Sequence, residues 1–353
     1  MAVMTNTGNT TKTTQTQASA GQRGRRVLRG FIRGIGVVLA LIVGLALAGA
    51  SYEAIAAGGD AKAYPPPGRL VDVGGYRLHI QCVGTGSPAV VLESGLGGMS
   101  LDWNLVQKEM GQTTQVCAYD RAGMGWSDPG PQPRTPGQIA LELHTLLANA
   151  GIAGPYVLVG HSVGGKNVRM FALQHPEEVA GMVLVDARSE YADSPVAQGT
   201  AQDLQQVTGS EWSLYGVLRR VGLVRLIGAS QWGPLTLSEQ TRTELALFAT
   251  GQRGLDATAA ESLVMTADND QLRAAPSLGD RPLIVLAADE SMNTIPRWPE
   301  AQHRQAAMST NGRLVVVEGS GHYIQLDHPA VVTDAVQQVV NQARVPAPEG
   351  SPR

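Results

Sequence analysis

Nine residues limit this chain more than any others: Tyr156-Val-Leu-Val-Gly160-His161-Ser162-Val163-Gly164. The first four form a continuous apolar run, the kind that fills a strand buried on both faces. The stretch Val163–Gln174 that follows has helical period. No loop separates the two, so the chain must pass from strand to helix in one sharp turn. Such a turn is strained, and a Cβ at Gly160 or Gly164 would run into the neighbouring chain. Ser162 sits at its tip, with the Val163 amide aimed at the same spot. A serine hydroxyl held this way is a candidate nucleophile once a base reaches it.

The chain on either side alternates in the same manner. Leu70–Val73 and Tyr76–Val83 read as strands joined by the Gly74-Gly75 turn. Ala89–Glu93, Gln115–Tyr119, Tyr156–Val159, Met182–Val185, Pro282–Ala287 and Leu314–Val317 are six further strand runs. Thr135–Ala150, Val163–Gln174 and Pro329–Gln342 have helical period. The pattern predicts an α/β fold: an eight-stranded, mostly parallel sheet with helices on both faces. Ligands bind such sheets at the carboxyl ends of the strands. Residues 189–276 lack the strand pattern and carry Trp212, Leu214, Val217, Leu218, Val221, Leu223, Val224, Leu226 and Ile227 at helical spacing. They read as a helical cap inserted between strands six and seven, dividing a core of residues 69–188 and 277–343.

The N-terminus obeys different physics. Residues 1–33 read as a disordered basic tail, polar and without period at first, then rich in arginine. Lys12, Arg23, Arg25, Arg26, Arg29 and Arg33 are its charges, and no acid precedes Glu53. An uncharged run, Gly34–Ala50, follows at once. Residues 34–57 therefore read as a transmembrane signal anchor or a signal peptide. Ala48-Gly-Ala50 resembles a cleavage site, whereas the length of the run favours an anchor. Arginines ahead of the run hold the N-terminus in the cytoplasm and place the body of the chain outside. The alternative is secretion after cleavage. Residues 58–68, with Pro65, Pro66 and Pro67, read as a stiff linker, and 344–353 as a disordered tail. With six of its 27 basic residues in that head, the body is markedly acidic, which excludes a nucleic-acid partner.

A base is required, and the chain has seven histidines. His79 lies in an early strand, His144 on a helix and His175 at a helix end. His161 is next to the serine but on a strand, so it should point to the opposite face. His322, in Gly319-Ser-Gly321-His322-Tyr323, lies between the last strand and the last helix, where a loop reaches the turn. His328 is second choice, beside Pro329 at a helix start.

Asp120-Arg121-Ala-Gly123-Met-Gly125-Trp-Ser127, after the fourth strand, resembles the D-R-x-G-x-G-x-S signature of the α/β-hydrolase superfamily. With Gly160–Gly164 and Gly321-His322 it makes three motifs in the family's order, spanning about residues 70–342. The resemblance implies a serine hydrolase acting through a Ser-His-Asp triad and an acyl-enzyme, most simply on carboxylic esters (the 3.1.1 class). It implies an oxyanion hole after strand three, in Glu93-Ser94-Gly95-Leu96-Gly97-Gly98, with Leu96 and Val163 as backbone donors. The family usually has His-Gly where this chain has Ser94-Gly95. It calls for no metal and no organic cofactor.

The family usually places its acid in a Gly-x-x-Asp turn after strand seven. Here that stretch reads Ala287-Ala288-Asp289-Glu290-Ser291, with Ser291 at the acid's place. Relatives also use the end of strand six, where this chain has Asp186. Asp186 is the preferred acid and Asp289 the alternative. The resemblance also sets strands two and four side by side, so Cys82 and Cys117 are candidates for a disulfide, as suits an exported domain. The apolar, lightly charged insertion suits a hydrophobic acyl or alcohol group, while Lys166 offers an anion contact. Two alternatives stay open: an acyltransferase on the same scaffold, and an inactive membrane-anchored binding protein.

Overall fold

The computed structural model describes residues 12–192, 217–218, 220–226 and 236–345. Eight strands form one sheet: β1 Arg69–Asp72, β2 Arg77–Val83, β3 Val90–Glu93, β4 Val116–Tyr119, β5 Tyr156–His161, β6 Val179–Val185, β7 Leu283–Ala288 and β8 Gly312–Val317. Their order is β1-β2-β4-β3-β5-β6-β7-β8. Pairing is antiparallel at β1–β2 and β2–β4 and parallel from β4 to β8. Each strand falls within a few residues of the run that predicts it, because continuous apolar sequence has few other ways to be buried.

The helices are α1 Lys12–Ala63, α2 Asn104–Met110, α3 Pro136–Asn149, α4 Gly164–Gln174, α5 Leu223–Leu226, α6 Glu239–Thr250, α7 Gln252–Val264, α8 Asn269–Arg273, α9 Asp289–Thr294, α10 Trp298–Ala306, α11 Ile324–Asp327 and α12 Pro329–Arg344. Alternate residues of β5 show how the layers close. Leu158 packs with Leu143, Leu147 and Phe171 of α3 and α4. Val157 and Val159 pack on the other face with Val336 and Val339 of α12. The central strand is buried on both sides, as a parallel sheet demands.

Two expectations change. Residues 12–33 were expected to be disordered but belong to α1, which continues through the first part of the expected 58–68 linker. No proline precedes Pro65, and alanine is the commonest residue of α1, so nothing stops the helix until the residues before the proline triplet. Residues 1–11 and 346–353 lie outside the described residues. So do Trp212, Leu214 and Ile227 of the 189–276 insertion, whose described part contains α5 to α8 and no strand. Cys82 and Cys117 face each other in the β2–β4 register and are joined by a disulfide.

Candidate active site

The β5–α4 junction turns as sharply as the sequence requires. Ser162 has φ +52°, left-handed for a residue with a Cβ, which costs on the order of 1–3 kcal/mol. The glycines explain themselves. A Cβ on Gly160 would lie 2.7 Å from the Gly164 oxygen, and one on Gly164 would lie 2.6 Å from the Ser94 oxygen. Ser162 N–H donates to Val185 O at 3.1 Å, and Arg188 N–H donates to Ser162 O at 2.8 Å, so the turn is pinned to the end of β6.

His322 arrives on the loop between β8 and α11. Its Nε2 lies 3.0 Å from Ser162 Oγ and its Nδ1 lies 2.6 Å from Asp186 Oδ2. One unbroken hydrogen-bond path runs from hydroxyl to imidazole to carboxylate. The imidazole is partly exposed and the carboxylate wholly buried. Asp186 follows the last residue of β6, and its φ of +39° swings the side chain across to the β7 end. There Asp186 Oδ1 accepts from Ala288 N–H at 3.0 Å and Trp298 Nε1–H at 2.8 Å. Oδ2 also accepts from the Ser291 hydroxyl at 2.6 Å. Four donors answer one buried carboxylate, which burial would otherwise make costly. Asp289 is elsewhere: it starts α9 and binds the Asn293 side-chain amide at 2.8 Å. His328 caps α12 instead of facing the serine.

The loop after β3 lies against the serine. A Cβ on Gly95 would come within 3.1 Å of Ser162 Cβ. The Arg121 guanidinium donates to Ser94 O at 2.7 Å and Gly95 O at 2.6 Å. In a trans peptide the N–H points opposite to the carbonyl, so the Leu96 amide faces away from Arg121. Among the described residues no acceptor lies on the Leu96 or Val163 amide.

Residues 88–329 match the family described as alpha/beta hydrolase fold. The chain belongs to that family. It is 31% identical over 226 residues to an uncharacterized protein of Schizosaccharomyces pombe, covering 63% of this chain and 40% of that protein. It is 27% identical over 312 residues to a Hormonema carpetanum protein named "Probable transporter efuK", covering 77% and 42%. This alpha/beta hydrolase thus spans less than half the length of these relatives. Among solved structures, an esterase from Thermogutta terrifontis superposes with a TM-score of 0.58 at 22% identity, over 78% of this chain and 99% of that one.

The remaining motif of the alpha/beta hydrolase shapes the loops around the site. Asp120 accepts from Ser100 N–H at 2.7 Å, Trp126 N–H at 3.1 Å and the His79 ring at 2.8 Å, all buried. Gly125 is needed because a Cβ there would lie 2.2 Å from Asp120 Oδ2. Beyond the two carbonyls, Arg121 pairs with Glu93 at 2.8 Å and with both oxygens of Glu261 on α7 at 2.8 and 2.9 Å. The facing carboxylates hold its charge in place and raise its pKa despite burial. Burial pushes Glu93 upward, and Asp102, which accepts from Met99 N–H, up to about 7.

His161 corrects another expectation. Its ring does not point away: Nε2–H donates to the His322 carbonyl at 3.0 Å, and the two rings are 4.7 Å apart. Burial pushes His161 down to about 3, so it is a neutral strut under the His322 loop. Lys166 is buried, with Nζ donating to Met265 O at 3.1 Å and Asn269 Oδ1 at 2.7 Å, and so anchors the insertion. The sequence gives no sign of Trp298 or Ser291 as partners of Asp186, since both lie more than a hundred positions away. His144, His175 and Glu178 bring metal-ligating atoms within 4.8 Å of one another. The two rings stack in parallel at 3.8 Å, so their lone pairs run side by side and do not converge on one ion.

Proposed function

We propose that this alpha/beta hydrolase cleaves carboxylic esters with a hydrophobic acyl or alcohol group, using Ser162, His322 and Asp186. The observation that carries the reading is the continuous path from Ser162 Oγ through His322 to Asp186, at 3.0 and 2.6 Å. His322 Nε2 takes the hydroxyl proton as Ser162 Oγ bonds to the ester carbonyl carbon. The carbonyl electron pair moves onto oxygen, which the Leu96 and Val163 amides receive. Each such donor lowers the barrier by about 3 kcal/mol. His322 then protonates the leaving alkoxide as the C–O bond breaks. Water, deprotonated by His322, attacks the acyl-enzyme and releases the acid. Asp186 holds Nδ1–H throughout and stabilises the imidazolium.

The insertion supports a covered site. A Cβ on Gly97 of the loop after β3 would lie 3.0 Å from Thr258 of α7. The helix Leu28–Asp60 is long and apolar enough to cross a membrane. With arginines ahead of it and a disulfide in the body, the reading is an anchored enzyme whose catalytic domain is extracytoplasmic. Fluorophosphonate labelling tests the chemistry: labelling lost in Ser162→Ala supports it, and a folded wild type that does not label makes the scaffold a binding protein. A chain-length series of p-nitrophenyl esters, run with and without an added alcohol, separates hydrolysis from acyl transfer. Cell fractionation with protease protection tests the anchor and its side.

A further inference from the structure

We infer that the α5 segment of the insertion lies on the lipid surface beside α1, so that the ester substrate reaches Ser162 from the bilayer. This rests on the hydrolase and anchor readings above and adds where the substrate comes from.

The insertion is fastened to α1 at one level. A Cβ on Gly49 would lie 2.2 Å from the Val221 oxygen, so the two backbones touch there. Gly49 is the penultimate residue of the uncharged run Gly34–Ala50. Just beyond it, Glu53 and Asp60 lie seven residues apart on one helix face. Both pair with Arg225: Nε reaches Glu53 at 2.9 Å and Nη2 reaches Asp60 at 2.7 Å. Trp126 Nε1–H, from the Asp120 loop, donates to Tyr64 O at 2.9 Å just past the end of α1. The α1 end is therefore tied both to the insertion and to the core.

That attachment fixes depth. The first charge after the apolar run is Glu53, one turn past the Val221 contact, so Val221 and α5 sit at the boundary of acyl chains and headgroups. Val217, Leu223 and Leu226 are 41%, 42% and 67% exposed there. Three large apolar side chains in water beside an apolar helix are unfavourable, whereas at a lipid surface they are buried. The same insertion is bound through Glu261 to Arg121, next to the Ser162 loop. Arg121 also donates to Ser94 O and Gly95 O, so the insertion that carries α5 is joined to the loop lying against the serine, and an acyl chain leaving the lipid beside α5 enters on that side. The class of substrate is an ester whose acyl chain is dissolved in a bilayer.

The test uses the full chain in liposomes. An environment-sensitive dye on Leu226→Cys is expected to be quenched by lipid-tethered nitroxides, and one on the exposed Gln112→Cys, before the amino end of β4 and so at the opposite end of the strands from Ser162, is not. Absence of quenching at 226 overturns the proposal. Leu223→Glu with Leu226→Glu is expected to lower hydrolysis of a long-chain ester held in the same liposomes about tenfold or more. Hydrolysis of a short water-soluble ester should not change. Equal effects on both substrates, or on neither, also overturn it. A protein inert toward every ester yet quenched at 226 refutes the hydrolase reading and leaves the placement of α5 standing.

Discussion

The Ser291 hydroxyl donates to Asp186 Oδ2 across 2.6 Å. Ser291 stands where the family resemblance would put the acid, and Asp186 lies at the end of the neighbouring strand. The Val185–Leu286 register brings the two strand ends together. A hydrogen-bond donor thus fills one seat and supports the carboxylate in the other. This arrangement makes Asp186 and Asp289 separable by experiment.

Asp186→Asn is expected to lower kcat by about four orders of magnitude, because an amide holds the wrong imidazole tautomer. Asp289→Asn should leave kcat close to wild type, since Asp289 bonds only locally to Asn293 among the contacts of its side chain. Steady-state kinetics on both folded variants decides. A large loss in Asp289→Asn with an active Asp186→Asn would reverse the assignment.

Arg121→Met should cost about 3–5 kcal/mol, because Glu93 and Glu261 are left buried and unpaired. Adding Glu261→Gln removes one orphaned charge and should recover part of the loss. Denaturant unfolding of the four members of the cycle measures this coupling. Strictly additive effects would mean that the pair does not hold α7 to the Ser162 loop.

Two buried groups set opposite pH trends. Unfolded His161 takes up a proton below about 6.5, while the folded chain resists until about 3, so acid weakens folding across that window. Folded Asp102 keeps its proton up to about 7, while the unfolded chain loses it above 3.8, so base weakens folding there. The two oppose between roughly pH 4 and 6.5. Asp102→Asn should unmask the histidine, making Tm fall more steeply than wild type from pH 6.5 down to 4.5. Parallel Tm curves for the two proteins would show that Asp102 titrates normally.

Removing the Cys82–Cys117 bond, with its sequence separation of 35, should destabilise the domain by about 3–4 kcal/mol. Replacing both cysteines with alanine and unfolding the variant in urea measures it. Tm unchanged on reduction of wild type would mean that the cross-strand pair adds nothing to folding.

Residues close together in the chain determined the strands, the strained turn at Ser162 and the need for Gly160 and Gly164. Continuous apolar runs and missing side chains act over a few positions, so sequence alone carries them. His322 was legible too, because only one loop after the last strand reaches that turn. The carboxylate beside it was legible only as a preference for Asp186 over Asp289. Its identity depends on a left-handed backbone at Asp186 and on donors from Ala288, Ser291 and Trp298, which the register of β6 on β7 brings near. Arg121 was legible as a motif residue, but its grip on Glu261, 140 positions away, was not. His161 was misread because strand alternation says which side a ring leaves by, and the loop folded over it decides what it meets. Helical order in residues 12–33 was missed for a similar reason. Polar composition marks a segment as unlikely to be buried, and it does not forbid a helix that nothing interrupts.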